Sequence, residues 1–368
     1  MTASSTIHIA TTCNDAYFQG LCVTVLSALV ANDSGRPMAF HIFDTGLCEN
    51  NCNILREAVQ LHGPDTILIF IPVSGEKFEG LTLDYGGGVS TYIRILMGSL
   101  INHSRVIYID SDFLVLSNLA DVYDRDLSGK IILASKDVDT ADGMPNPLSF
   151  DCPFIPPKET TGFYYYNCGF LLVNLDAWRT HRVEDACFDL LQDYEGHLKA
   201  WDQTVLNYVL MGRIGDLEPS LCWSYAIGRI PIPGNIHFIS RKKPWNSWSP
   251  IAPYKLWYLF HRCFLSSVTP LSIPLFKKTK GLIQYYRDLS LATLPLLGFL
   301  YLKYLASRKT PQSVALYDSA LTRCRTQMRN PQWQCKDLLG NFKVIWKSRR
   351  NITLTKIARS NPIEKNIH

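Results

Sequence analysis

Two carboxylates one residue apart close a strongly β-branched run, Arg105-Val-Ile-Tyr-Ile109 leading into Asp110-Ser111-Asp112. On an extended segment, residues i and i+2 start from the same face, so both side chains can reach one ion. A hard divalent cation takes oxygen ligands and often binds through one or two carboxylates, with substrate phosphates completing its shell. Such a pair suits the departure of a diphosphate, a strongly charged leaving group that needs a Lewis acid. The same spacing recurs at Asp124-Arg125-Asp126 and Asp137-Val138-Asp139. Neither follows an apolar strand run, so solvated loop carboxylates are the reading there.

The elements that must position Asp110 and Asp112 alternate between short apolar runs and helix-period segments. Ile7-Thr12, Met38-Asp44, Thr66-Val73 and Arg105-Ile109 read as strands, and Tyr17-Ala31, Glu49-His62 and Ser90-Ile101 as helices. This rhythm predicts an α/β fold with a mostly parallel sheet, helices on both faces, and near-continuously apolar strands. In such sheets ligands bind beyond the carboxyl ends of the strands. Asp110 and Asp112 fall at that end.

With 47% hydrophobic and 19% charged residues among 368, the chain can bury a large core and is not disordered. The net charge of +5 hides an asymmetry: from Lys277 onward 18 basic residues face 4 acidic ones, leaving 19 basic and 28 acidic before it. An acidic body with a basic tail points to an anionic partner for the tail, read as a membrane surface and not nucleic acid. Tyr254-Phe264 is aromatic and basic, and Leu289-Ala306 is apolar but broken by Pro295, Gly298 and Lys303. Too short to span a bilayer, Leu289-Ala306 fits either an interfacial helix, with 254-309 touching anionic membrane, or the core of a small subdomain. The expected division is therefore 1-250 for the α/β domain and 251-368 for a basic, mostly helical extension. Met1-Thr6 lacks the features of a signal peptide, and the 11 scattered cysteines read as reduced thiols, so a cytoplasmic protein, peripheral on the inner membrane, is expected. The sequons at Asn32, Asn102 and Asn351 then read as chance matches. HExxH, GxSxG, GxGxxG and GxxxxGKS are absent, and Gly86-Gly87-Gly88 reads as a flexible loop near the ligand site.

Four blocks, in order, carry a resemblance. They are Ser90-Thr-Tyr-Ile-Arg-Ile-Leu with Arg105 to Val115; Tyr165-Tyr-Asn-Cys-Gly-Phe-Leu-Leu-Val-Asn-Leu-Asp-Ala-Trp178; Trp201-Asp-Gln-Thr-Val-Leu-Asn207; and His237-Phe-Ile-Ser-Arg-Lys-Lys-Pro-Trp245. Together they resemble the family 8 glycosyltransferases, retaining enzymes of the GT-A fold that include bacterial lipopolysaccharide galactosyl- and glucosyltransferases and glycogenin. The resemblance spans roughly residues 7 to 248. It implies a Mn²⁺-dependent (or Mg²⁺-dependent) hexosyltransferase using UDP-glucose or UDP-galactose, with a glycan or glycolipid acceptor such as a lipopolysaccharide core.

By the same resemblance, Asp110, Asp112 and His237 are the metal ligands, a set of two carboxylates and an imidazole that suits Mn²⁺. Ser111 lies between the carboxylates, and Lys243 matches a lysine on the donor diphosphate. Arg94 matches an arginine approaching the donor, although by itself it reads equally as a structural ion-pair partner. Asn167 and Gly169 match the Asn-x-Gly turn of the sugar pocket, where Gly169 allows close backbone approach. Asp137 stands where a carboxylate binds sugar hydroxyls. Asp202 and Gln203 match the Asp-Gln pair beside the anomeric carbon. An amide is a poor nucleophile, so a front-face course follows, in which the departing phosphate oxygen helps to take the acceptor proton. Asp202 then orients the donor sugar and Gln203 steadies positive charge at the anomeric carbon.

The sequence departs from the family at two places. Thr11-Thr-Cys-Asn-Asp-Ala-Tyr17 replaces the usual acidic end of the first strand, which shifts uridine recognition to Thr12, Asn14 or Asp15, beside Tyr17. The usual His-x-x-Gly becomes His237-Phe-Ile-Ser240, adding a hydroxyl near the phosphates. Two other readings keep the same blocks: a self-glucosylating primer protein of glycogenin type, and a non-catalytic sugar-nucleotide-binding module.

Overall fold

A computed structural model describes residues 6–79, 89–138, 144–148, 161–193, 201–224, 234–247 and 252–265. The chain divides into two compact units, Met1–Arg241 and Lys242–His368.

The first unit begins with strand β1 (Ile7–Cys13), helix α1 (Phe18–Ala31), β2 (Met38–Asp44), α2 (Glu49–His62) and β3 (Ile67–Pro72). A short helix α3 (Met97–Leu100), β4 (Arg105–Ile109), β5 (Phe113–Val115), α4 (Leu119–Tyr123) and β6 (Ile132–Lys136) follow. The unit continues with β7 (Tyr166–Asn174), α5 (Leu175–Thr180), α6 (Val183–Asp193), α7 (Trp201–Val209), β8 (Ile214–Leu217), β9 (Trp223–Ser224) and β10 (Asn235–His237). Seven strands form one sheet in the order β3-β2-β1-β4-β7-β6-β8, in which β7 runs antiparallel to β4 and β6 and the other pairs are parallel.

Alternation along the strands decides what each face packs against. Ala10, Phe43, Val106, Tyr108, Leu171 and Val173 join a core with Ile93, Trp178, Leu190, Val205 and Leu206 from the helical segments. The alternate residues Ile7, Ile9, Ile107 and Ile109 are equally buried, so both faces are covered, as the unbroken apolar strands require.

The segment expected as one helix over Ser90-Ile101 is a 3₁₀ coil at Val89–Leu96 followed by the single turn of α3. Val89, Thr91, Ile93 and Ile95 put a β-branched side chain at every second position, which crowds an α-helix. The tighter coil also lets the Arg94 Nε–H turn back to the Thr91 carbonyl (3.2 Å).

A second, three-stranded sheet, β5-β10-β9, places β10, from the end of the first unit, beside Asp110-Ser111-Asp112. Strand β5 has only three residues, and its two edges are satisfied by different means. On one edge β10 pairs antiparallel, with His237 opposite Phe113. On the other, α1 supplies side chains: Thr24 Oγ1 donates to the Phe113 carbonyl (2.9 Å) and accepts from its N–H (3.1 Å), and Ser27 Oγ accepts from Val115 N–H (2.9 Å). Buried backbone groups need partners, and here two hydroxyls replace a strand.

The described part of the second unit is 242–247 and helix α8 (Ala252–Phe264). Tyr254, Trp257, Tyr258 and Phe260 are buried on α8, and Trp257 stacks on His261 at 5.4 Å between centroids. The Tyr254 hydroxyl donates to the Lys242 carbonyl, and the Tyr258 hydroxyl to that of Ser247 (2.9 Å). Among the described residues no helix is long and apolar enough to cross a membrane. Gly86-Gly87-Gly88 and the whole segment from 266 onward, including Leu289-Ala306, lie outside the described residues.

Candidate active site

Asp110-Ser111-Asp112 is the junction between the two sheets, leaving β4 and entering β5. Backbone bonds fix both ends. Asp110 N–H donates to the Gly169 carbonyl of β7 (2.8 Å), and Phe238 N–H donates to the Asp112 carbonyl (3.1 Å). The pairing of His237 with Phe113 carries the imidazole to the carboxylates. His237 Nε2 stands 3.2 Å from Asp112 Oδ1 and 3.6 Å from Asp110 Oδ2, and the ring stacks on Phe113 at 4.3 Å. One ligand atom from each of Asp110, Asp112 and His237 lies within 4.8 Å of the others. Two carboxylates and one imidazole fit a divalent cation of intermediate hardness.

The groups behind these three side chains fix their orientation. The Cys222 thiol donates to Asn167 Oδ1 (3.1 Å) and lies 3.7 Å from His237 Nδ1. That leaves the sulfur placed to accept from Nδ1–H in the tautomer whose Nε2 lone pair faces the two carboxylates, the form that a bound metal would require. Burial first, then the Asp110 and Asp137 carboxylates, hold the Cys222 thiol well above its ordinary pKa. Gly169 N–H donates to the same Asn167 oxygen (2.9 Å). A Cβ at Gly169 would stand 2.4 Å from His237 Cε1 and 2.9 Å from Asp110 Oδ2. Only glycine fits there, and the need is for close approach rather than an unusual φ.

Arg94 is the hub of the buried charges. Its Nη2 is 3.0 Å from Asp110 Oδ1, Nη1 donates to the Cys168 carbonyl, and the guanidinium lies 4.7 Å over the Tyr108 ring. Nε is 2.6 Å from Asp202 Oδ2, but its hydrogen is directed at the Thr91 carbonyl, so the contact with Asp202 is electrostatic rather than a hydrogen bond. Asp202 is 3% exposed, and burial pushes its carboxyl up to about 7, with Arg94 opposing the rise and Asp110 adding to it. Tyr108 places its hydroxyl between Asp110 Oδ1 (3.0 Å) and Thr12 Oγ1 (3.3 Å), and burial keeps it protonated.

The remaining expected residues are distributed as follows. Gln203 Oε1 accepts from Cys168 N–H (3.0 Å), tying α7 to β7 one residue before Gly169. The Ser111 side chain bonds to the Cys13 thiol, and both residues are buried. Asn14 Oδ1, just past the end of β1, is a buried oxygen with no hydrogen-bond partner. Asp15, in contrast, accepts from Cys48 N–H (2.8 Å) and Asn51 Nδ2 (2.9 Å) at the start of α2. Tyr17 closes the turn after β1 and is 38% exposed. Asp137 Oδ1 accepts from Val138 N–H (3.1 Å), and its charge reaches the thiols of Cys168 and Cys222. Ser240 is half-buried beyond β10, and Lys243 is buried in the second unit, where its N–H donates to Asn246 Oδ1 (2.8 Å). Asp124 pairs with Arg36 (2.7 Å) and Asp126 accepts from Ser128 in a surface turn, so that repeat of the Asp-x-Asp spacing is structural.

Sequence reasoning missed Tyr108 and Cys222. Tyr108 shares a strand face with Asp110 by the two-residue period, a signal that was available. Nothing in the sequence around Cys222 marks it.

The family model for glycosyl transferase family 8 matches residues 8–249. The chain belongs to this family. Its relatives include a putative glycosyltransferase of Haemophilus influenzae, 25% identical over 57% of this chain and 61% of that protein. The lipopolysaccharide 1,3-galactosyltransferase of Salmonella typhimurium is 23% identical over 64% of this chain and 73% of its own. This chain thus spans about three-fifths of the Haemophilus relative's length. Among solved structures, the galactosyltransferase LgtC in complex with donor and acceptor sugar analogues superposes with a TM-score of 0.59, covering 69% of this chain and 95% of that one at 24% identity. The likeness establishes the GT-A fold of the family 8 domain.

Proposed function

We propose that this family 8 protein is a retaining transferase that moves glucose or galactose from a UDP-sugar to a glycan or glycolipid acceptor. The observation that carries the reading is the convergence of Asp110, Asp112 and His237 at the carboxyl end of β4, in a chain of this family. These three residues would hold Mn²⁺, or Mg²⁺, which when bound supplies Lewis-acid stabilisation to the leaving diphosphate.

The chain's own residues support the other roles. Asp202 is held 2.6 Å from the Arg94 guanidinium in a buried pair, which suits an orienting carboxylate for donor hydroxyls better than a free nucleophile. Gln203 Oε1 already accepts from Cys168 N–H of β7, so the role of steadying positive charge near the anomeric carbon falls to the second lone pair of that same oxygen. Asn14 offers a buried acceptor at the end of β1, where the base of a nucleotide would meet the sheet, while Thr12, Tyr17 and Ser240 supply hydroxyls. By the same reading Lys243 contributes a cation to the diphosphate, Ser111 counts among the donor-binding residues although its side chain bonds to the Cys13 thiol, and Asp137 with Asn167 and Gly169 lines the sugar pocket. The basic tail from Lys277 favours an anionic glycolipid at the inner face of a membrane; the buried aromatics of α8 take no part in that argument.

A panel of UDP-glucose, UDP-galactose and other nucleotide sugars, with Mn²⁺ and scored for UDP release with and without membrane glycolipid, tests the reading. Release above background with one UDP-hexose, increased by glycolipid, is expected. If no nucleotide sugar binds or turns over, the proposal fails.

A further inference from the structure

At the other end of the sheet, three imidazoles meet. His8 is the second residue of β1, His41 the middle residue of β2, and His103 lies two residues before β4. Strand β1 lies between β2 and β4 in the sheet. In the β1–β2 register Ala10 stands opposite His41, so His8 and His41 share one face. His8 Nδ1 lies 3.1 Å from His41 Nε2, and the rings of His8 and His103 stack at 3.6 Å. One nitrogen from each ring lies within 4.8 Å of the others. The six residues from His8 to Asn14 cover about 20 Å of strand, so this cluster is remote from Asp110-Ser111-Asp112.

We propose that His8, His41 and His103 form a second divalent-metal site, selective for an imidazole-preferring ion of the Zn²⁺ class, that ties together β1, β2 and the segment leading into β4. The spacing fits the chemistry. Zinc–imidazole bonds of about 2.0–2.1 Å put two ligand nitrogens of a tetrahedral site about 3.3 Å apart. The His8–His41 pair is close to that distance, and the half-open third ligand leaves a path for entry and a position for water. His41 is 4% exposed, and every other residue of β2 before Asp44 is apolar. Placing an imidazole in a buried strand costs free energy unless its nitrogens find partners. Here the partners are other imidazoles, an arrangement that a cation completes.

The protonation state agrees. Burial lowers His8 and His41 to about 4, with the neighbouring imidazoles adding to the effect, so both are neutral at pH 7 and their lone pairs are open to a metal. The guanidiniums of Arg36 and Arg105 flank the Tyr123 ring at 5.5 and 5.9 Å. Both are engaged, Arg36 with Asp124 (2.7 Å) and Arg105 with the Tyr123 carbonyl (2.7 Å). With three nitrogens and no carboxylate, the site differs in character from the Asp110, Asp112, His237 set. The affinity order Mn²⁺ < Co²⁺ < Zn²⁺ for nitrogen sites separates the two.

The test uses tag-free, chelator-stripped full-length protein carrying Asp110→Asn and Asp112→Asn, titrated with Co²⁺ and then Zn²⁺. One equivalent of Co²⁺ should give visible d–d bands that Zn²⁺ abolishes, and Zn²⁺ should raise Tm. His103 is exposed, so His103→Ala should fold normally and weaken Co²⁺ binding about 100-fold or more, in line with loss of a ligand. His103→Cys should retain binding and add a near-ultraviolet thiolate-to-cobalt band. Absence of visible bands, or titrations unchanged by His103→Ala, would overturn the proposal. Neither result bears on the donor-site reading, which UDP release measures separately.

Discussion

Replacing Arg94 with methionine keeps much of the side-chain length and removes the charge, and the structure sets out what that should do. The guanidinium serves Asp110, Asp202 and the carbonyls of Thr91 and Cys168, so the variant loses all four at once. Part of the cost is independent of pH: buried acceptors left without donors cost about 1–3 kcal/mol. The rest depends on Asp202. Its carboxyl sits at about 7 in the folded protein against 3.8 when unperturbed, held down from a still higher value by Arg94. A raised folded pKa means that the folded state keeps the proton while the unfolded state releases it. Stability therefore falls as pH rises from about 4, and in the native protein the fall levels off near 7, where Asp202 ionises against Arg94. Without the guanidinium that levelling is postponed, so above pH 7 the variant goes on losing about 1.4 kcal/mol per pH unit relative to the native chain. Urea denaturation at pH 6, 7, 8 and 9 reads the difference. Near pH 6 the destabilisation should be about 1–3 kcal/mol, growing to about 4 or more by pH 9. Adding Asp202→Asn to Arg94→Met should remove the pH-dependent increment and leave the constant part. A destabilisation of the same size at every pH would refute the assignment of Arg94 as the cation that holds Asp202 ionised.

Three further outcomes follow from the geometry. Gly169→Ala forces a methyl against His237 and Asp110, so Mn²⁺ affinity measured by electron paramagnetic resonance should fall by about 10-fold or more, with turnover falling in step. Gln203→Ala should reduce turnover without abolishing it, and the orphaned Cys168 N–H should cost about 1–3 kcal/mol in denaturant; a hexose ester trapped on Asp202 would refute the roles given to the pair. Thr24→Val deprives both backbone groups of Phe113 of their partner, so it should destabilise by about 2 kcal/mol and weaken Mn²⁺ binding from a residue that never touches the ion.

Much of this was legible in the chain. β1, β2, β3 and β4 lie within a residue of their expected bounds because each is a near-continuous apolar run bounded by polar or turn-forming residues. Asp110 and Asp112 stand, as expected, directly after the carboxyl end of β4. What the sequence could not display were relations made by the fold alone. The antiparallel sense of β7 depends on its neighbours and not on its own apolar run, which reads the same in either direction. Arg94 was open between donor contact and structural ion pair, and its four partners come from four separate segments of the chain. His8, His41 and His103 are separated by more than 30 residues each, so no local pattern could group them. The 3₁₀ coil at Val89–Leu96 shows the opposite error, where apolar spacing fitted a helix but the β-branched side chains resisted one.

The junction between the two sheets has a consequence for how this protein could be altered. The starting points of Asp110, Asp112 and His237 are set by main-chain pairings, to Gly169, to Phe238 and across from Phe113, and none of these depends on which side chain occupies the ligand positions. The scaffold therefore behaves as a socket whose pins are exchangeable. Substituting His237 with aspartate would harden the ligand set toward Mg²⁺, and with cysteine would soften it, while the frame of β4, β5 and β10 stays in place. On the proposed reading, ion preference becomes a property that single substitutions should tune without rebuilding the fold.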